Sequence, residues 1–264
     1  MSQVVLITGA TSGIGQETAE LLASQGWKVV VSGRRLAEGE NSQSLVISFL
    51  FDEQANLDKV VDGIRNNGGE ATFIQADVST EANVKALIEK SIAVWGHLDA
   101  AVNNAGISND SELLENASTE RFQEMFQVNV LGVFWCMKYQ LQHMVPRKHG
   151  RIVNLASIAG LHGIFRTGGY CATKHAVVGL TKTAAIEYAT SGVTINAVAP
   201  GAIKTSVFQQ AIDSGAYTEE TIADLFPMKR MGAVSDIARA IKFLIDSPFA
   251  TGSVLAVDGG LGAA

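Results

Sequence analysis

Thr8-Gly9-Ala10-Thr11-Ser12-Gly13-Ile14-Gly15 is the stretch on which the reading of this chain turns. It sits between an apolar run, Val4-Val5-Leu6-Ile7, and a helix-like stretch over 14–24 that Gly26 closes. A strand that turns through glycines into a helix aims several backbone N–H groups at one point, with no Cβ in the way. The pyrophosphate of a dinucleotide needs such a cradle. Gly9 suits the tight turn, Gly13 the close approach of a phosphate, and Gly15 the packing of helix on strand. Thr8, Thr11, Ser12 and Ile14 complete the candidate cradle.

Outward from the turn, apolar runs alternate with helical patterns. Strands are expected at 28–32, 71–76, 98–103, 151–156, 194–199 and 253–257, and helices at 81–95, 120–143, 170–189 and 235–245. Nearly continuous apolar strands separated by helices imply a parallel sheet covered on both faces. Right-handed crossovers then give a doubly wound α/β sheet of about seven strands, a Rossmann fold, in one domain over 1–264. The segment between Arg35 and Ala71 is longer than one crossover helix requires. We read the atypical insertion near 40–54 as an enlarged helix or surface flap, with a lid or an oligomer contact as the sharper alternative.

Composition narrows the classes further. With 264 residues, 47% hydrophobic and 17% charged, the chain can bury a large core and is not disordered. A net charge of −6 argues against a nucleic-acid partner. Two cysteines, Cys136 and Cys171, give no disulfide framework. No apolar run approaches the ~20 residues that span a bilayer, and no basic region or cleavage site precedes the first strand. The expectation is a cytoplasmic protein.

The end of the second strand bears on the choice of dinucleotide. An acid there commonly binds a ribose 2′-hydroxyl. Here the chain reads Ser32-Gly33-Arg34-Arg35. Arg34 or Arg35 could pair with a 2′-phosphate, so NADP(H) is preferred, with NAD(H) as the alternative.

Chemistry is concentrated in Tyr170-Cys171-Ala172-Thr173-Lys174. Positions i and i+4 share a helix face, which makes the phenol and the ammonium neighbours. A free phenol ionises near ~10, and a fixed positive charge beside it favours the phenolate. Ser157, where the fifth strand ends, could donate a hydrogen bond to a substrate oxygen. Asn129 lies inside an apolar helical pattern that it fits poorly, since its side chain competes for backbone hydrogen bonds. As a plain structural feature, it would mark a capped or bent helix.

These residues together resemble the short-chain dehydrogenase/reductase family, in its compact branch. The resemblance rests on the T-G-x-x-x-G-x-G spacing, Asn103-Asn104-Ala105-Gly106, the set Asn129, Ser157, Tyr170 and Lys174, Pro200-Gly201-Ala202-Ile203-Lys204-Thr205, and Val257-Asp258-Gly259-Gly260. It implies that Asn129, Ser157, Tyr170 and Lys174 form a catalytic tetrad, with Asn129 holding a water linked to Lys174. It implies further cofactor contacts from Asp77 and Val78 to the adenine, from Ala105 and Gly106 along the dinucleotide, and from Pro200, Gly201, Ile203 and Thr205 to the nicotinamide. Asn103 would brace the sheet. Tyr170 and Lys174 would also touch the cofactor.

The activity so implied is hydride transfer between NADP(H) and a small carbonyl or alcohol, with Tyr170 as acid and base. Alternatives are an NAD(H)-dependent alcohol or polyol dehydrogenase of the same family and, lower, a dinucleotide sensor without turnover. No metal is expected, because His97, His143, His149, His162 and His175 lack metal-like spacing. The stretch 204–230 would cover the substrate. Apolar helices around 126–139 and 177–188 suggest subunit contacts, in a homotetramer or else a homodimer.

Overall fold

The strands β1 (Val4–Thr8), β2 (Lys28–Gly33), β3 (Glu70–Gln75), β4 (Ala100–Asn103), β5 (Gly150–Leu155), β6 (Val193–Pro200) and β7 (Val254–Val257) form one sheet. Their order is β3-β2-β1-β4-β5-β6-β7, and every pairing is parallel. The computed structural model describes residues 2–34, 53–205, 212 and 218–263. Expected and observed strand ends differ by no more than two residues. Strand order reverses between β1 and β4, and loops leaving the carboxyl ends there diverge to open a crevice.

The helices are α1 (Gly13–Ser24), α2 (Glu53–Asn66), α3 (Glu81–Trp95), α4 (Thr119–Phe126), α5 (Gly132–Met144), α6 (Gly168–Glu187), α7 (Glu219–Ala223) and α8 (Val234–Asp246). Alternate residues of β1 go to opposite faces, as the two-residue period of a strand dictates. Val4 and Leu6 join Leu87, Ile88, Met144 and Val177 in one buried cluster. Val5 and Ile7 join Leu22, Val60, Ile237 and Ile241 in the other. Helices therefore cover both faces, α3, α5 and α6 on one and α1, α2 and α8 on the other. The helix expected at 81–95 is α3, and Gly96 ends it in the left-handed conformation at φ +81.

The pattern at 120–143 is not one helix. A π-helical turn, Gln127–Leu131, separates α4 from α5. Asn129 sits in its middle, completely buried. The wider turn is the bent alternative to a straight helix, and such turns frequently mark functional sites. The expected insertion at 40–54 falls almost wholly outside the described residues, apart from the start of α2. Within 204–230, α7 and the buried Ile222 and Phe226 join Met231 in a small separate core.

Candidate active site

The glycine turn has the geometry its sequence suggests. Gly9 and Gly13 lie at φ +63 and +57, where a side chain would strain the backbone. At Gly15 a Cβ would stand 2.4 Å from the Gly9 carbonyl oxygen, so only glycine lets α1 begin so close to β1. Ser12, at the N-cap of α1, makes no side-chain capping bond, and the first turn holds no acid. That leaves N–H groups and the positive end of a helix dipole at the turn. Gly33 faces the Thr11 methyl, and the buried Ser32 hydroxyl has no hydrogen-bond partner. An uncapped helix head beside a buried, unpartnered hydroxyl fits a dinucleotide with its pyrophosphate at Ser12–Gly15.

The loop after β4 closes over this turn. Thr8 Oγ1 accepts from Asn104 N and Ala105 N, both at 3.1 Å. Asn104 Nδ2 donates to the carbonyls of Thr8 at 3.0 Å and Gly9 at 2.8 Å. Asn104 was not among the expected site residues, and its signal was its adjacency to Asn103. The two asparagines face different tasks. Asn103 pairs reciprocally with Gln140, donating at 3.1 Å and accepting at 2.7 Å, and donates to Asn154 Oδ1 at 2.8 Å. Asn154 donates to Thr181 Oγ1 at 2.9 Å. This buried network ties β4 and β5 to α5 and α6, with these amide groups partnered as burial requires.

Asn129, Ser157, Tyr170 and Lys174 reach the same crevice from three elements: the π turn, the turn after β5, and α6, which carries both Tyr170 and Lys174. Asn129 Oδ1 accepts from Ile107 N and its Nδ2 donates to Ile107 O, each at 2.8 Å. Nδ2 also donates to Thr173 Oγ1 at 3.2 Å, and Thr173 donates on to Tyr170 O at 2.8 Å. Gly106 lies where a Cβ would be 3.1 Å from Asn129 Oδ1 and 3.5 Å from Lys174 Nζ. Ser157 caps a single 3₁₀ turn, Ile158–Gly160, its Oγ accepting from Ala159 N at 3.1 Å. Gly160 packs so tightly on α6 that a Cβ would stand 2.7 Å from the Lys174 carbonyl oxygen.

Burial dominates the electrostatics of the pair in the protein without cofactor. Lys174 Nζ donates to Leu155 O at 2.8 Å and stands 5.6 Å from the centre of the Tyr170 ring. Burial pushes the phenol up to about 12, against a smaller downward pull from the Ser157 hydroxyl. Burial also brings the Lys174 ammonium down to about 8. Desolvation outweighs the Ser157 hydrogen bond, so without cofactor the phenol holds its proton more tightly than a free tyrosine does.

The remaining expected residues fall around this centre. Thr205 carries a methyl group 3.4 Å from where a Gly13 Cβ would be, so the loop after β6 approaches the glycine turn. Ile203 is buried and bridges to Gly232, while Gly201 N donates to Val257 O at 3.0 Å. Pro200 ends β6, and a cavity of about 180 Å³ beside it is lined by Gly201, Ile203, Phe226 and Gly259. Asp77 accepts from Ser79 N at 2.9 Å, and Val78 is buried against Gly132. Arg34 follows β2, half-buried; Arg35 lies outside the described residues. His162 is exposed, with its ring against Gly262.

A larger cavity, about 500 Å³, opens at the amino ends of β1 and β4, lined by Trp95, His97, Asp99, Arg147 and His149. Its carboxylate is already engaged by Val4 N at 2.9 Å, Arg147 at 3.2 Å and His97 at 3.2 Å. The self-satisfied cluster lies at the wrong end of the sheet for the crevice. Among the described residues, no group of three or more His, Cys, Asp or Glu is placed to hold a metal. Nor is any helix among them long and apolar enough to cross a membrane.

Comparison with known proteins extends over the whole chain. The family model described as short chain dehydrogenase matches residues 3–47, and that described as Enoyl-(Acyl carrier protein) reductase matches 43–262. Cyclohexanol dehydrogenase of Acinetobacter sp. is 40% identical, covering 98% of this chain and 94% of its own. A 2,5-dichloro-2,5-cyclohexadiene-1,4-diol dehydrogenase of Sphingobium indicum is 37% identical, covering 98% and 96%. The solved structure of ElxO with NADP bound superposes with a TM-score of 0.89 at 39% identity, covering 100% of both chains. With fold and sequence matched from end to end, the chain belongs to the short-chain dehydrogenase/reductase family of oxidoreductases.

Proposed function

We propose that this chain, as one catalytic domain over 1–264, is an NADP(H)-preferring oxidoreductase that interconverts a ketone and a secondary alcohol on an apolar ring. The observation that carries the reading is the Ser157 hydroxyl acting on the half-buried Tyr170 phenol, with the Lys174 ammonium 5.6 Å from the ring centre. When bound, the nicotinamide supplies or accepts the hydride. Ser157 holds the substrate oxygen by donating a hydrogen bond. Tyr170 gives that oxygen a proton in reduction and takes one in oxidation. Lys174 holds the ribose hydroxyls and offsets the charge of the phenolate. Asn129, anchored to both the N–H and the carbonyl of Ile107, keeps a water in reach of Lys174.

Support for an apolar ring comes from two sides. Leu113, Leu114, Phe165, Leu225 and Met228, on the loops that follow β4, β5 and β6, are all exposed. Large apolar side chains left in water on one set of loops suit a ligand that covers them. The named activities of the two relatives above concern six-membered carbocycles. For the cofactor, Arg34 beyond the acid-free end of β2 supports a 2′-phosphate, and the NADP held by ElxO agrees with it. The test is a panel of cyclic and open-chain ketones and alcohols assayed with NADPH and NADH. We expect turnover of cyclohexanone-type ketones with kcat/KM at least about tenfold higher for NADPH. Equal use of both cofactors would remove the preference, and no turnover of any ring ketone would remove the substrate class.

A further inference from the structure

The helix that carries Tyr170 has no cap of its own. Thr167, at the N-cap of α6, makes no side-chain capping bond, and no acid lies in the first turn. The Thr167 hydroxyl is turned instead to Ile164 O, at 3.1 Å. A carboxylate arrives from another loop, sixty residues away: Asp110 Oδ2 accepts from Tyr170 N at 2.9 Å. The other oxygen, Oδ1, is buried and has no hydrogen-bond partner. A half-satisfied buried carboxylate is costly, and the positive end of a long helix is where that cost is best offset. Gly169 makes room for it, since a Cβ there would be 3.1 Å from Asp110 Oδ2 and 2.7 Å from Met125 Cε.

The same two loops are joined a second time. Arg166 Nε donates to Ser111 O at 2.7 Å, and its guanidinium lies 3.5 Å from Glu112. Arg166 holds the left-handed conformation at φ +64 to do so, which is uncommon outside glycine.

We propose that Asp110 is a positioning residue that docks the first turn of α6 onto the loop after β4 and keeps a negative charge at the head of the helix carrying Tyr170. The inference rests on the reading of Tyr170 as the proton carrier. Its electrostatic consequence follows from sign alone: a fixed negative charge disfavours a second one on the phenol. Burial is the larger cause of the raised phenol, and Asp110 acts in the same direction. The other groups facing Tyr170 are Lys174, Ser157 and Cys171, with the Arg166–Glu112 pair on the adjoining loops.

Two variants separate anchor from charge. Asp110→Asn keeps an oxygen for Tyr170 N–H and removes the charge; Asp110→Ala removes both. The Tyr170 Cζ resonance, assigned by its loss in Tyr170→Phe, is titrated in protein labelled at tyrosine and saturated with NADP⁺. The pH profile of kcat/KM for alcohol oxidation is measured beside it. Asp110→Asn should melt near the wild-type temperature and hold about three- to tenfold more phenolate at a given pH. The acid limb of its profile should move to lower pH by the same factor. Asp110→Ala should melt about 2–4 °C lower. An unmoved Tyr170 titration in Asp110→Asn overturns the inference, whatever happens to melting. A moved titration with an unmoved activity profile leaves the Asp110 inference standing and defeats Tyr170 as the proton carrier.

Discussion

Lys174 keeps its ammonium in a buried pocket, donating to Leu155 O at 2.8 Å. Its value falls from the ordinary 10.5 to about 8 because burial disfavours the charge. Between those values the unfolded chain holds a proton that the folded chain releases. The cost of burying the charge is therefore complete below about pH 8 and fades as pH rises. Tyr170, raised from 10 to about 12, works the other way, but only once pH passes 10. Stability without cofactor should thus rise from pH 8 to 10, by about 2 kcal/mol. Urea unfolding across that range checks it, and Lys174→Met should flatten the rise. An equal rise in the variant would assign it to other groups. At the other end of the site, Arg34→Ala should raise KM for NADPH by about tenfold and leave KM for NADH nearly unchanged.

At the scale of elements, the glycine turn is the least forgiving segment. Gly15→Ala would force a Cβ to within 2.4 Å of the Gly9 carbonyl oxygen, moving the start of α1. We expect a loss of about 1–3 kcal/mol in unfolding free energy together with weakened dinucleotide binding. Gly63→Ala, on α2 with nothing within 4 Å of the new Cβ, is the control and should be neutral or slightly stabilising. The contrast also explains what could be read in advance. Strand runs such as Val193–Pro200, buried throughout, announce themselves by composition. The glycine turn announces itself by spacing. The π turn at Gln127–Leu131 does not, because apolar periodicity persists on both sides and only Asn129 interrupts it. Asp110 stays hidden for another reason. Its partner, Tyr170, lies 60 residues away, and no local pattern records a contact of that range. The burial that raises the Tyr170 phenol in the protein without cofactor is likewise not legible in sequence, which shows the i, i+4 spacing to Lys174 but not the desolvation of a crevice edge.

The whole molecule presents apolar side chains well away from the crevice. Phe134 on α5, Ile186 on α6, Phe243 on α8 and the fully exposed Phe249 all face outward. Exposed groups of this size on the outer surface suit contact with further copies of the chain. Light scattering behind size exclusion should find a homotetramer, and Phe249→Asp a smaller species. A monomeric wild type would contradict this. The central claim, however, concerns one proton. Its most direct test is Tyr170→Phe, compared with wild type for reduction of a cyclic ketone by NADPH, with cofactor affinity measured separately by fluorescence. The account predicts kcat lower by about 10²–10⁴-fold with the NADPH Kd unchanged within about twofold. Turnover near the wild-type value, with cofactor bound, would contradict it.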